Sequence, residues 1–173
     1  MKTDETDHMN NLQKRDAINK IKNLTKAAHI CMFTTSLSHQ PLSTRPMGTQ
    51  DTDDDGNLWF FSAANSKKNE EINASPKVQL FYSNPGSAEF LTIYGRAVIL
   101  RDQEKIDQFW NPIAKAWFKE GKEDPNITLI KVSPEEAHYW DTKSNKMVSL
   151  LKILTSVVTG ATMDNGVEGS LAV

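Results

Sequence analysis

The chain of 173 residues is 38% apolar and 24% charged, with 8 Gly and 7 Pro. This balance favours one folded domain and excludes collagen-like, disulfide-scaffold and wholly disordered classes. Its formal charge of −2 offers no global field for nucleic acid, and the single Cys31 excludes an internal disulfide or a cysteine-rich metal site.

Residues 1–9 read as a disordered tail with no apolar stretch suited to a signal peptide. Ala17, Ile18, Ile21, Leu24 and Ala28 then recur at three- and four-residue spacing, which predicts an amphipathic helix. Residues 29–35 switch to β-branched and aromatic side chains, residues 38–40 suit a tight turn, and residues 42–49 suit a returning strand. An acidic loop over 51–57 leads to a strand at 58–62. Asn65 or Ser66 caps a short helix that Pro76 has ended. Strands follow at 77–82 and 89–100, separated by the turn Asn84-Pro85-Gly86; Gly95 inside the second marks a bulge or bend. Residues 102–120 are helical with an interruption at Asn111-Pro112, residues 127–132 form a strand, and 138–140 extend that sheet beyond an irregularity at Ser133-Pro134. Residues 147–158 are apolar but short, and Lys152 lies among them. They read as a docked helix rather than a membrane span. The expectation is one domain over residues 10–160 and a C-terminal tail over 161–173, with no membrane contact and the cytoplasm as the default location. No strand–long helix unit repeats, so the pattern points to a mainly β (α+β) antiparallel barrel with peripheral helices.

Several motifs carry no chemistry. Asp51-Thr52-Asp53-Asp54-Asp55-Gly56 imitates half of a calcium loop, but its twelfth position is Ser62, which cannot supply two carboxylate oxygens. The segment reads as a solvated turn, and no metal is expected. His8, His29, His39 and His138 have no metal-ligand spacing, and Cys31 reads as a packed thiol. Three other features can bind a ligand. Arg45 precedes Pro46, which cannot donate to a sheet ladder, so its strand is irregular or at an edge. It is either an exposed edge arginine or a ligand to an anion. Ser66-Lys67-Lys68 follows the strand Trp59-Phe60-Phe61-Ser62; a helix start with two ammonium groups suits a phosphate, and equally a solvated face. Trp110, Trp117 and Trp140 either pack the core or lie against a flat ligand.

In this order, Ser43-Thr44-Arg45-Pro46-Met47, Trp59-Phe60-Phe61-Ser62, Ser66-Lys67-Lys68, Tyr94-Gly95-Arg96-Ala97 and Tyr139-Trp140-Asp141 resemble the FMN-binding split-barrel family related to pyridoxamine 5′-phosphate oxidase, most closely its general stress protein branch. The resemblance spans roughly residues 12–160. It implies a six-stranded antiparallel split barrel and a homodimer with a flavin at each of two subunit-interface sites. FMN is the implied cofactor, with FAD the alternative. Carried over to this chain, Arg45 binds the flavin or its phosphate, Pro46 and Met47 lie along the ring, and Phe61 and Ser62 add contacts. Lys67 and Lys68 clamp the phosphate, and Trp140 comes from the partner subunit. The implied function is an FMN-binding flavoprotein that, if catalytic, is an oxidoreductase on an unspecified small substrate. The alternatives are a pyridoxamine 5′-phosphate oxidase and a non-catalytic flavin- or haem-binding module. The oxidase's Arg-x-His after the tryptophan is missing from Asp141-Thr142-Lys143-Ser144-Asn145-Lys146-Met147, and Phe90 stands where the family has Gln. Both departures count against pyridoxamine phosphate oxidation and leave flavin binding untouched.

Overall fold

The structure, a computed structural model, describes residues 14–141 and 147–149. One antiparallel sheet dominates it. Its strands are β1 (Ile30–Thr35), β2 (Ser43–Gly48), β3 (Asp51–Thr52), β4 (Leu58–Ala63), β5 (Lys77–Asn84), β6 (Glu89–Leu100), β7 (Ile127–Trp140) and β8 (Met147–Ser149). Their order is β2-β1-β5-β6-β7-β4-β3, and β8 adds to β7. Six of them are long enough to build the expected barrel; β3 and β8 are short additions of two and three residues. Among the described residues four α-helices lie around the sheet: α1 (Lys14–Ala28), α2 (Lys67–Ala74), α3 (Gln103–Phe109) and α4 (Pro112–Trp117). None of the helices among the described residues is long and apolar enough to cross a membrane.

Period-two alternation builds the barrel interior. Phe33 of β1 and Phe60 of β4 are fully buried and meet edge-on, with ring centroids 5.2 Å apart. Leu80 and Ile93 join them, and α1 inserts Ala17, Ile21 and Leu24 into the same core. A second core lies between the sheet and the α3–α4 pair, around Trp59, Ile106, Phe109 and Phe118. The interruption between these helices is a cap: Asn111 Oδ1 accepts from the backbone N–H groups of Ile113 and Ala114, with Pro112 at the first helical position.

Two expectations need correction. The segment expected to be a helix from residue 147 begins as strand β8, with Met147 opposite Trp140 and Ser149 opposite His138. A short apolar run has no period of its own, and the open edge of β7 supplies the hydrogen bonds that make it a strand. The rest of that segment, residues 150–158, the tails at 1–9 and 161–173 and the domain limits drawn at 10 and 160 lie outside the described residues. The acidic loop is also shorter than expected, because Asp51 and Thr52 pair with Trp59 and Leu58. Beyond them the Asp53 carboxylate is occupied by N–H donors from Asp55, Asn57 and the Trp59 indole.

β7 runs unbroken through Ser133-Pro134. Its pairing with β6 slips between Tyr94, opposite Glu136, and Gly95, opposite Pro134, which leaves Glu135 as the extra residue of a bulge. At Gly95 a Cβ would stand 2.4 Å from the Ser133 carbonyl oxygen and 3.1 Å from Pro134 Cα. Only backbone movement can relieve that contact. Gly95→Ala is therefore expected to lower stability by roughly 1 kcal/mol or more in urea unfolding; a variant as stable as the parent would show that the strands can part there freely.

Candidate functional site

Ser43, Arg45 and Met47 share one side of β2, opposite Thr35, Phe33 and Cys31 of β1. Helix α2 closes over the end of this hairpin. Ser66 stands at its N-cap with extended backbone, and its hydroxyl makes no capping bond, so the first-turn amides are left uncapped by a side chain. The helix start is anchored from below: the buried Ser62 hydroxyl donates to Asn69 Oδ1, 2.5 Å away, and Asn69 Nδ2 donates to Thr128 Oγ1 at 2.9 Å.

Arg45 and α2 meet at Glu71. Arg45 Nη1 donates to Thr35 Oγ1 (2.6 Å), and Nη2 reaches Ser43 Oγ (2.6 Å) and Glu71 Oε2 (2.9 Å). The Glu71 carboxylate also accepts from the Thr35 hydroxyl (2.5 Å) and the Ser43 hydroxyl (2.9 Å). Burial pushes the Glu71 carboxyl upward, but the Thr35, Ser43 and Arg45 hydrogen bonds outweigh it and hold the group below the ordinary carboxylate value. Three hydrogen bonds leave at least two of the five Arg45 N–H groups without an acceptor among the described residues.

The two lysines differ. Lys67 is 82% exposed and lies 3.8 Å from Glu71 Oε1, one turn along the helix. Lys68 is half-buried, and its ammonium has no acceptor among the described residues. Desolvation lowers its pKa, and the positive charge of Arg45 lowers it further. Lys67 reaches the carboxylate that Arg45 also bonds, whereas Lys68, about 100° around the helix, feels the charge of Arg45 with no ion pair of its own among the described residues.

The structure thus brings Arg45, Lys67 and Lys68 around one spot. The other expected residues make no hydrogen bond or ion pair with these three side chains. Met47 is buried in the barrel core. Pro46 faces outward beside Met32. Phe61 lies under the α3–α4 pair, 6.3 Å from the Trp110 ring and 6.1 Å from that of Phe118. Ser62 is engaged with Asn69. Trp140 is on β7, four strands from β2 in the order of the sheet, on the outer face with its ring partly exposed. Glu71, Thr35 and Ser43 had no role in the sequence reading; the one local signal was a glutamate four residues after Lys67, a spacing that pairs charges on a helix.

The outer face of the sheet carries an apolar stripe interrupted by Thr92, opposite Phe81, and Ser83, opposite Phe90. Met32 stands opposite Phe81, Phe90 opposite Trp140, and Ile30 lies beside them; these five side chains are 38–54% exposed. Cys31, on the inner face, is buried, and its thiol is pushed up to about 12.

A family model described as pyridoxamine 5′-phosphate oxidase like matches residues 16–164. The chain is 26% identical over 153 residues to Protein bli-3 of Neurospora crassa, covering 83% of this chain and 73% of that protein. It is 28% identical over 96 residues to General stress protein 26 of Bacillus subtilis, covering 54% and 68% of the two. Among solved structures it is similar to a general stress FMN/FAD binding protein from Xanthomonas citri, with a TM-score of 0.62, 26% identity and coverage of 72% of this chain and 87% of that one.

Proposed function

The chain belongs to the pyridoxamine 5′-phosphate oxidase-like family, in its general stress protein branch, and from that premise we propose that it is a dimeric FMN-binding flavoprotein whose phosphate site is the cradle of Arg45, Lys67 and Lys68. The observation that carries this reading is Lys68. A half-buried ammonium beside a guanidinium, with no acceptor among the described residues, is unfavourable by itself, and a bound anion removes the cost. Three cations against the one carboxylate of Glu71 leave a net charge of +2, which matches a phosphate monoester dianion. The residues present therefore fit the phosphate of FMN.

The same arrangement supports a site completed by a second copy. In this reading a flavin at Arg45 takes its Trp140 from a partner subunit, β7 being four strands from β2 in the order of the sheet. The exposed stripe of Ile30, Met32, Phe81, Phe90 and Trp140 supplies an apolar surface for that association. A bound flavin would supply the redox chemistry, and Arg45, Lys67 and Lys68 would hold its phosphate.

The test is the absorbance of the purified protein, with the mass of any released ligand. A yellow protein absorbing near ~450 nm, the band of oxidised flavin, is expected, eluting as a dimer. A colourless monomer that takes up no added FMN would overturn the proposal. Titration of single variants refines it. Lys68→Ala is expected to weaken FMN by about 1–2 kcal/mol, because it removes a partly desolvated ion contact. Lys67→Ala, at an exposed position, is expected to cost at most about 0.5 kcal/mol.

A further inference from the structure

We propose that Glu71 is the positioning residue of this site: it locks the Arg45 guanidinium in place and joins β2 and α2 into one phosphate-recognition unit. The inference rests on the reading of Arg45 as a phosphate ligand. Three observations carry it.

Glu71 touches every part of the cradle's support. It bonds to Thr35 at the end of β1, to Ser43 and Arg45 on β2, and lies one helical turn from Lys67 on α2. Its side chain is 12% exposed, so these contacts are shielded from solvent.

The contacts also form a closed ring. Arg45 Nη1 donates to the Thr35 hydroxyl, that hydroxyl donates to Glu71 Oε2, and Arg45 Nη2 donates to the same oxygen. Ser43 repeats the pattern from Arg45 Nη2. Each hydroxyl uses a lone pair on Arg45 and its proton on Glu71.

The ring still leaves the arginine available. At least two of its five N–H groups remain for a ligand, and the rotamer freedom of a long side chain has already been removed. Take the carboxylate away and Arg45 keeps its charge but loses its charged anchor, and the Thr35 and Ser43 hydroxyls lose the acceptor that orients them toward it.

The experiment compares FMN with riboflavin, which lacks the phosphate, on the full chain. Glu71→Ala is expected to weaken FMN by about tenfold and to leave riboflavin unchanged. Glu71→Gln keeps an acceptor for Arg45 and is expected to bind FMN within about threefold of the parent. The Arg45 Nη–H resonance, held by the ring in the ligand-free parent, is expected to survive in Glu71→Gln and to be lost in Glu71→Ala. Equal or tighter FMN binding by Glu71→Ala overturns the proposal, as does an equal loss of riboflavin. If the parent binds no FMN, the flavin reading fails, and the resonance alone then decides: persistence in Glu71→Ala refutes the positioning role. Should Glu71→Ala not fold, Ser43→Ala removes one hydroxyl of the ring; it is expected to cost about threefold in FMN affinity, and no change would refute the role.

Discussion

Arg45→Ala is expected to reduce FMN affinity by about 1.5–3 kcal/mol, roughly tenfold to more than a hundredfold, with little change in riboflavin affinity. The size follows from what the side chain is. A guanidinium held by Thr35, Ser43 and Glu71 offers its remaining N–H groups to an anion without further ordering. Its loss also lowers the net charge at that spot from +2 to +1 and leaves Glu71 without its guanidinium partner, which weakens the attraction for a phosphate. Arg45→Lys is expected to recover only part of the loss, since one ammonium cannot span two hydroxyls and a carboxylate while facing a ligand. Fold stability should change little, as the Thr35 and Ser43 hydroxyls still satisfy Glu71. Flavin-fluorescence titration of the refolded apoprotein measures this, and unchanged FMN affinity in Arg45→Ala would remove the arginine from the site.

Phe60→Ala is expected to cost about 3–5 kcal/mol of folding free energy and to lower the melting temperature by roughly 10 °C or more. Phe60 is fully buried, packs edge-on against Phe33 at 5.2 Å, and belongs to the cluster that also holds Ile21 of α1 and Ile93 of β6. A cavity at this point lies where the helix and both halves of the sheet meet, and dense packing leaves nothing nearby that can collapse into it. Trp117→Ala is the matched control. It removes a larger ring, but one that is 80% exposed, and its stability effect is expected to stay within about 0.5 kcal/mol. Urea unfolding of the two variants side by side tests whether burial rather than side-chain size sets the cost; similar midpoints would contradict it.

Much of the architecture was legible along the chain because its signals are local. The switch from helical spacing to β-branched residues at 29–35 became the α1–β1 junction, and Asn84-Pro85-Gly86 became the short 3-10 turn Pro85–Ser87 between β5 and β6. Gly95 was legible as a bulge or bend, and the bulge lies on the opposite strand at that point. Pro46 was legible as an edge or irregular residue, and β2 is the edge of the sheet. The cations of the candidate site were also legible, since Arg45 and Lys67-Lys68 stand in recognisable motifs.

By itself, then, the sequence determined where strands and helices fall and which basic residues were available to an anion, because hydrophobic period, turn chemistry and residue type act over a few neighbours. Tertiary structure alone decided that Met147–Ser149 is a strand, since the open edge of β7 chose its conformation. It also decided that Glu71 bridges Arg45 and Lys67, that Lys68 is left without an acceptor among the described residues, and that Trp140 stands four strands from β2 in the order of the sheet. These outcomes depend on the curl of the sheet and the seating of α2 on it. Both are set by contacts between residues distant in the chain, which no local pattern encodes.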